Sequence, residues 1–524
     1  MQEIKGIDLY IEEQIKNKEV PGLSLSIFNK SEVLYEKSFG LTNWEENNQQ
    51  ITENTLFRIG SVSKSLTTTL IMKLVEDGLL ELDVPITNYI EKFTLQNELY
   101  AKIITLRMLL SHTSGLPNGG DIEGPRDQSG WETYIDEVVS NLELENPPGA
   151  LYHYSNHGFN IAGYVAQSVC EKPFAELMKE YVFQPLGMER TMYDPLEAIT
   201  YSLALAHEKT EDGEWKVQHK FAENVTNYPS FFAMSTLHDM SRFAMMHLNK
   251  GVFEGRTFLK PETIEEMHKK HYDNYTLNDF GSCLGVFTER TRGLNMLWHS
   301  GEISTYKCIY YLIPEKKLGF ITMATQDVGW EIIDQLIETF IGPAEEPEIK
   351  PVQVDGEILK SFEGNYLGVT KGYASVTREA DSLVMEWNGE KLLLEAVRND
   401  LFVGQYNKEN ISVGFRVLDS VDRYAIINGS PCKNTDIERR IAPVADAWKA
   451  YEGTYADGVF QFGFTTKGDT PYFVDEVQLY PCFPITKTLF YAGEYGVLEF
   501  SKDTGEGKVL RVQGAWRFEY VNQV

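Results

Sequence analysis

Phe57-Arg58-Ile59-Gly60-Ser61-Val62-Ser63-Lys64-Ser65-Leu66 sets a serine and a lysine three residues apart where the chain enters a helical pattern that runs over 62–80. Residues i and i+3 share a helix face, so the Lys64 amine can lie beside the Ser61 hydroxyl. A serine hydroxyl is a weak nucleophile at neutral pH and needs a neighbouring base. Lysine becomes that base when burial or nearby positive potential lowers its pKa. A helix N-terminus adds such potential, and its free N–H groups can hold a developing oxyanion. Ser-x-x-Lys by itself is a weak signal. It recurs at Ser304-Thr305-Tyr306-Lys307, at the mouth of a strand, and at Ser430-Pro431-Cys432-Lys433, which reads as a turn.

Two more patterns stand downstream. Tyr152-His153-Tyr154-Ser155-Asn156 contains Tyr-x-Asn, which recurs at Tyr272-Asp273-Asn274 and Tyr520-Val521-Asn522. Trp298-His299-Ser300-Gly301 contains His-x-Gly, which occurs nowhere else in the chain.

The flanking sequence reads as one sheet covered by helices. Ile7, Tyr10, Ile11 and Ile15 fall at helical spacing over 7–16. After Pro21-Gly22, Leu23, Leu25 and Ile27 alternate with Ser24 and Ser26, and Asn29-Lys30-Ser31 turns the chain into Val33–Lys37, a β-hairpin signal. A second hairpin, Cys308–Ile313 and Leu318–Thr325, flanks Pro314-Glu315-Lys316-Lys317. A helix over Trp330–Ile341 follows it. Helix and hairpin open the segment, and hairpin and helix close it, so strands from both ends meet in one sheet.

Taken in order, Ser-x-x-Lys on a helix, a later Tyr-x-Asn and a His-x-Gly before the closing hairpin resemble the serine β-lactamase and penicillin-binding-protein family. The nearest branch is that of class C β-lactamases, D-alanyl-D-alanine carboxypeptidases and D-aminopeptidases. Leu109-Leu110-Ser111-His112-Thr113-Ser114-Gly115-Leu116-Pro117, Pro185-Leu186-Gly187-Met188, and Met234-Ser235-Thr236 before a helix at His238–Leu248 add to the likeness. The resemblance covers about residues 1–342. It implies an α/β (α+β) fold, an antiparallel sheet flanked by helices with a helical subdomain. It makes Ser61 the acylated nucleophile, Lys64 its base partner and Tyr154 a second proton-transfer residue. Asn156 would contact the substrate amide, with His299 and Gly301 also on the substrate. The backbone N–H groups of Ser61 and Glu302 would form the oxyanion hole. His299 stands where the family commonly has a lysine, so it would be a weaker, pH-dependent cation. Substrates with a free amine or a neutral ester gain ground over those bearing a carboxylate.

At Gly342-Pro343-Ala344-Glu345-Glu346-Pro347-Glu348-Ile349-Lys350-Pro351 the composition turns Pro- and acid-rich, as in a linker. Beyond it, short alternating segments cut by Gly, Asn and Asp read as small antiparallel β-barrel-like domains. Lys360-Ser361-Phe362-Glu363-Gly364-Asn365-Tyr366 matches Lys449-Ala450-Tyr451-Glu452-Gly453-Thr454-Tyr455, and Ile441-Ala442-Pro443-Val444 precedes the second copy as a weaker linker. Three domains are expected, 1–342, 350–440 and 445–524, the last two related by duplication. In the D-aminopeptidase branch a loop from a C-terminal β-domain reaches the catalytic cleft, and Thr465–Asp475, rich in Gly, Asp and Pro, is the candidate here.

Composition narrows the function. With 77 acidic and 48 basic residues the net charge is −29, which repels phosphate backbones and anionic membrane surfaces, so neither nucleic acid nor membrane is an expected partner. The N-terminus carries acids early and no apolar run, and five scattered cysteines fit neither a disulfide framework nor a metal knuckle, so a cytoplasmic protein with free, mostly buried thiols is expected. His153 and His157 lack a third ligand in the sequence, and His268 and His271 read as solvated in a basic stretch. The chemistry requires no metal or organic cofactor. The expectation is a serine hydrolase working through an acyl-enzyme on short peptides or amides containing D-amino acids, its partner being that small substrate, with a homo-oligomer compatible. A carboxylesterase, a weak β-lactamase or D-Ala-D-Ala carboxypeptidase, and an inactive binding scaffold on the same fold are the alternatives.

Overall fold

The computed structural model describes residues 2–17, 19–45, 49–210, 212–326, 329–344, 349–418, 422–437, 448–456, 461–468, 470–475, 478–502, 508–513 and 516–522. The chain forms two compact units. One comprises Met1–Asp273 with Asn278–Glu346, the other Asn274–Leu277 with Pro347–Val524. Among the described residues no helix is long and apolar enough to cross a membrane.

The first unit is built on one antiparallel sheet of eight strands. These are β1 (Gly22–Asn29), β2 (Val33–Gly40), β3 (Tyr272–Asp273), β4 (Gly281–Ser282), β5 (Phe287–Thr291), β6 (Leu294–Ile303), β7 (Tyr306–Ile313) and β8 (Leu318–Ala324). Their order is β2-β1-β8-β7-β6-β5-β4-β3, so the first hairpin joins the last one through β1 and β8. The register runs Leu23 to Ala324 through Asn29 to Leu318. Strands from both ends of the segment thus meet as the order of elements required.

Five helices matter for the site: α1 (Gln2–Lys16), α2 (Ser63–Glu76), α3 (Asn156–Cys170), α4 (Leu237–Leu248) and α5 (Gly329–Ile341). One sheet face packs Leu23, Leu25 and Ile27 against Ile7 and Ile11 of α1 and Ile333, Leu336 and Ile337 of α5. The serines of β1 face the other way yet are equally buried, and Ser26 Oγ accepts a hydrogen bond from Ser241 Oγ of α4 at 3.1 Å. The alternation in β1 therefore separates an apolar face from a hydroxyl face, both covered.

Helix α2 departs from the amphipathic pattern the spacing suggests. Every residue from Ser63 to Met72 is buried. Its polar side consists of hydroxyls that find partners inside: Ser65 Oγ donates to Gly285 O at 2.7 Å, Thr67 Oγ1 to Pro229 O at 2.7 Å, and Thr68 and Thr69 to the carbonyls four residues back at 2.9 Å. Buried hydroxyls are tolerable only when bonded. With these bonds made, α2 can be surrounded by core on all sides.

The second unit holds two β-structures. Eight strands from Gly364–Gly368 to Ser430–Thr435 pair in sequence, and the first pairs with the last, closing a barrel. Its core includes Tyr366, Met385, Trp387 and Phe415. The Ser430–Lys433 copy of Ser-x-x-Lys lies in the closing strand, not in a turn, and its residues alternate across the sheet instead of sharing a helix face. The remaining strands form a nine-stranded antiparallel sheet that runs from the edge strand Gln478–Pro481 to the opposite edge Phe483–Pro484. Its core is mostly aromatic, with Tyr455, Phe464, Phe473, Phe490 and Phe500. The described strands within Thr465–Asp475 belong to a hairpin, Gln461–Lys467 paired with Thr470–Asp475.

The repeated motif has the same structure in both copies. Tyr366 OH donates to Phe362 O at 2.7 Å, and Tyr455 OH donates to Tyr451 O at 2.6 Å. Glu363 Oε1 accepts from Arg378 N at 2.9 Å, and Glu452 Oε1 accepts from Thr466 N at 2.9 Å. Each glutamate thus satisfies the backbone of the following strand, and each tyrosine clamps the turn that enters its sheet. The linker at Ile441-Ala442-Pro443-Val444 lies outside the described residues.

Candidate active site

Ser61 lies in a single 3-10 turn, Gly60–Val62, that leads directly into α2. Two glycines let strand β6 approach this turn backbone to backbone. A Cβ on Gly301 would lie 1.9 Å from Ile59 O and 2.7 Å from Ser61 N. A Cβ on Gly60, whose φ is +51°, would lie 2.3 Å from Glu302 N. Only glycine gives both the positive φ at the first position and the close approach at the second. The backbone N–H groups of Ser61 and Glu302 therefore line one contact. The Glu302 side chain is exposed and pairs with Lys307.

Lys64 is fully buried. Its Nζ lies 2.6 Å from Asn156 Oδ1, 2.9 Å from Ser230 O and 3.1 Å from Ser61 Oγ. Among the described residues it has no ion-pair partner, and burial alone holds its pKa well below the usual lysine value. Asn156 Oδ1 and Ser230 O can only accept, so a neutral amine gives both its N–H bonds to them. Its lone pair then faces the Ser61 hydroxyl.

Tyr154 OH donates to Ser61 Oγ at 2.8 Å, and its ring lies 4.8 Å from Lys64 Nζ. Burial raises its pKa above the ordinary phenol value, against a lowering contribution from the Ser61 hydrogen bond. The tyrosine is thus a phenol beside a lysine whose charged form burial disfavours. Tyr154 O–H and Lys64 Nζ both meet Ser61 Oγ, so the hydroxyl sits between the two groups. Tyr154 and Asn156 are placed by the start of α3, where Ser155 is the N-cap: its Oγ accepts from Gly158 N at 3.1 Å and donates to Pro117 O at 2.7 Å.

His299 lies on β6 and is buried, with its ring 5.1 Å from that of Phe287. Its Nδ1–H donates to Ser300 O at 2.7 Å, which leaves Nε2 as a buried acceptor with no partner among the described residues. Burial, then the nearby Lys64, pushes its pKa down to about 3. Burial therefore works against the cationic form of His299, and no described anionic group compensates its desolvation.

The structure thus brings together Ser61, Lys64, Tyr154 and Asn156 by hydrogen bonds, with Gly301 and Glu302 against the serine backbone and His299 beside the lysine. Sequence reasoning missed Ser230, which meets Lys64 through a carbonyl. Its hydroxyl donates to Asn160 Oδ1 at 2.5 Å, and Asn160 Nδ2 donates to Asn227 Oδ1 at 2.5 Å and to Tyr134 OH at 3.3 Å. A carbonyl contact leaves no residue-type signal, although the Ser-Asn-Asn set behind it is polar in an apolar neighbourhood.

The reading of His268 and His271 as solvated is corrected. His268 is half-buried, its Nε2 3.1 Å from His247 Nδ1, and its pKa is pushed down to about 4. His271 Nε2 donates to Glu266 O at 3.1 Å, and desolvation lowers its pKa. His157 bonds Tyr134 OH through Nδ1 at 2.6 Å, and burial pushes His153 and His157 down to about 4 as well. An unfolded imidazole takes its proton near pH 6.5, so these groups contribute stability that is complete above pH 6.5 and is lost as pH falls toward 4. The melting temperature is expected to fall steeply across that window. A flat profile from pH 7 to pH 4 would contradict the burial of these imidazoles.

Comparison with known proteins gives the family of this chain. The beta-lactamase family model matches residues 7–334. The chain is 22% identical to Protein flp of Staphylococcus aureus (strain MW2) over 342 residues, which is 63% of this chain and 64% of that protein. It is 28% identical to penicillin-binding protein 4 of Amycolatopsis lactamdurans over 239 residues, 44% of this chain and 61% of that one. It spans less than two thirds of the length of either of these curated relatives. The fold matches an octameric penicillin-binding protein homologue from Pyrococcus abyssi, with TM-score 0.57, 23% identity, and coverage of 82% of this chain and 100% of that one. It also matches SurE solved with D-Leu, with TM-score 0.61, 20% identity, and coverage of 83% and 100%. A family model that covers most of the chain, over the same stretch that holds the serine, lysine, tyrosine and histidine motifs, establishes that this chain belongs to the beta-lactamase family.

Proposed function

We propose that the protein is a serine hydrolase that works through an acyl-enzyme at Ser61. The observation that carries this reading is the pair of contacts on Ser61 Oγ, 3.1 Å from a buried Lys64 amine and 2.8 Å from the Tyr154 phenol. Ser61 attacks an amide or ester carbonyl while its proton passes to Lys64. The oxyanion is held by the N–H groups of Ser61 and Glu302. The leaving group takes a proton from the Tyr154–Lys64 pair, and water then releases the acid through the reverse transfers.

Charge bears on the substrate class. Burial disfavours the charged forms of His299 and Lys64, so neither is well suited to hold a carboxylate beside the scissile bond. This supports short peptides or amides with a D-residue at a free N-terminus, cleaved in the manner of a D-aminopeptidase. SurE, of the same fold, has been solved with D-Leu, which makes D-residues the first to try. A neutral ester is the second reading, favoured by the same argument. β-Lactams and C-terminal carboxypeptidase substrates, which carry that carboxylate, fit less well. Hydrolysis of D-alanine p-nitroanilide against its L-enantiomer tests the first reading. D-selective turnover that disappears in Ser61→Ala is expected, and turnover that survives Ser61→Ala would refute the assignment.

A further inference from the structure

His112 touches the reactive segment at three points. Its carbonyl accepts from His153 N at 2.7 Å, and its Nδ1 accepts from Ser155 N at 3.1 Å. Its ring stacks on that of Tyr154, with centroids 4.4 Å apart and planes 27° apart. The residues before and after Tyr154 are thus tied to one histidine, and the tyrosine ring rests on it. Phe287 lies nearly parallel to the same imidazole at 6.0 Å and 14°.

This arrangement is maintained against two costs. His112 has φ +57°, a left-handed conformation that a non-glycine residue adopts at some strain. Because Nδ1 accepts, the proton sits on Nε2, and that donor is buried without a hydrogen-bond partner among the described residues. A plain core position would be filled at lower cost by an apolar ring. Strain and an unsatisfied donor together at one residue, in contact with the site, point to function.

We infer that His112 is a positioning residue which holds the Tyr154 hydroxyl on Ser61 by fixing the backbone on both sides of it and the ring between. The inference rests on the acyl-enzyme reading above. It does not make His112 a catalytic residue, since it touches no reacting atom. Its two hydrogen bonds to the segment and its closest ring contact end on residues 153–155, while the ring also meets Tyr152, Phe159 and Phe287, so the test must separate an effect through Tyr154 from general packing.

A double-mutant cycle separates this role from general packing. A fluorophosphonate is used as the probe, with the labelling rate read from initial slopes and the stoichiometry from intact mass. His112→Asn keeps a side-chain acceptor and tolerates positive φ but removes the stacked ring. It is expected to slow labelling between about 10- and 100-fold at full stoichiometry, the scale of a small misplacement of a reacting group. In a Tyr154→Phe background the same change is expected to cause no further loss. His112→Phe, which keeps a ring but loses the acceptor, gives a second cycle should the asparagine variant not fold. A His112→Asn variant that labels at the wild-type rate overturns the inference. So does a loss of equal size with and without the Tyr154 hydroxyl, which is what a merely structural role produces. Wild-type protein that takes no label at Ser61 overturns the acyl-enzyme reading itself, and this inference with it.

Discussion

Lys64→Met is expected to slow acylation of Ser61 roughly 10³- to 10⁴-fold, toward the upper end of what a positioned general base contributes. Lys64 is fully buried, has no ion-pair partner among the described residues, and gives its N–H bonds to Asn156 Oδ1 and Ser230 O. Methionine fills a similar volume but offers no lone pair to the serine hydroxyl. The pH profile carries the same signature. Desolvation lowers the lysine pKa, so the base form persists far below the ordinary lysine value, and the rate falls only where the amine at last takes a proton. The acid limb of acylation in the wild type is assigned to this group. A Lys64→Met variant with near-normal labelling of Ser61 would show that the proton goes elsewhere.

Gly301→Ala is expected to lower the acylation rate by roughly 10²- to 10³-fold, the scale of losing an oxyanion donor, and to lower the melting temperature as well. The methyl group would have to occupy a position 1.9 Å from Ile59 O and 2.7 Å from Ser61 N. No side chain can rotate away, because the obstacles are backbone atoms. Strand β6 must move off the turn that carries Ser61, and the Glu302 N–H moves with it. Gly293, in the same sheet region, has open space for 4 Å around the position a methyl would take and serves as a comparison for local position, although its φ of +71° brings its own strain. An alanine at 301 with a wild-type rate would mean that the β6 contact does not shape the reaction.

Much of the site was legible because its residues are linked by short, regular spacing. Ser61 and Lys64 sit an i, i+3 step apart, Tyr154 and Asn156 straddle a helix N-cap, and His299 and Gly301 lie on one face of a strand. What could not be read was what burial does to those groups. His299 looks like a titratable cation in sequence, while its charged form is disfavoured in the fold, because desolvation depends on neighbours that come from distant segments. The same reason misplaces His268 and His271, which stand among lysines in sequence but turn inward. Ser230 contributes a carbonyl, which every residue possesses.

The fold shows the same division. The two hairpins and the terminal helices were visible in periodicity, and the pairing of β1 with β8 followed from their order. Helix α2 looked two-sided because serines and threonines score as polar. Hydrogen bonds to its own backbone and to Gly285 and Pro229 allow that side to be buried. In the second unit the alternating strands and the repeated Glu-Gly motif were plain. Closure of the first barrel depends on Gly364–Gly368 meeting Ser430–Thr435 across the whole domain, which no local pattern encodes.

The central claim is that Ser61 forms a covalent acyl-type adduct, driven by Lys64 and Tyr154. The most direct test is intact-protein and peptide mass spectrometry after exposure to a fluorophosphonate. One adduct per chain is predicted, on the peptide that contains Ser61, and none in Ser61→Ala. An adduct that persists in Ser61→Ala, or a wild-type protein that stays unmodified, would contradict it.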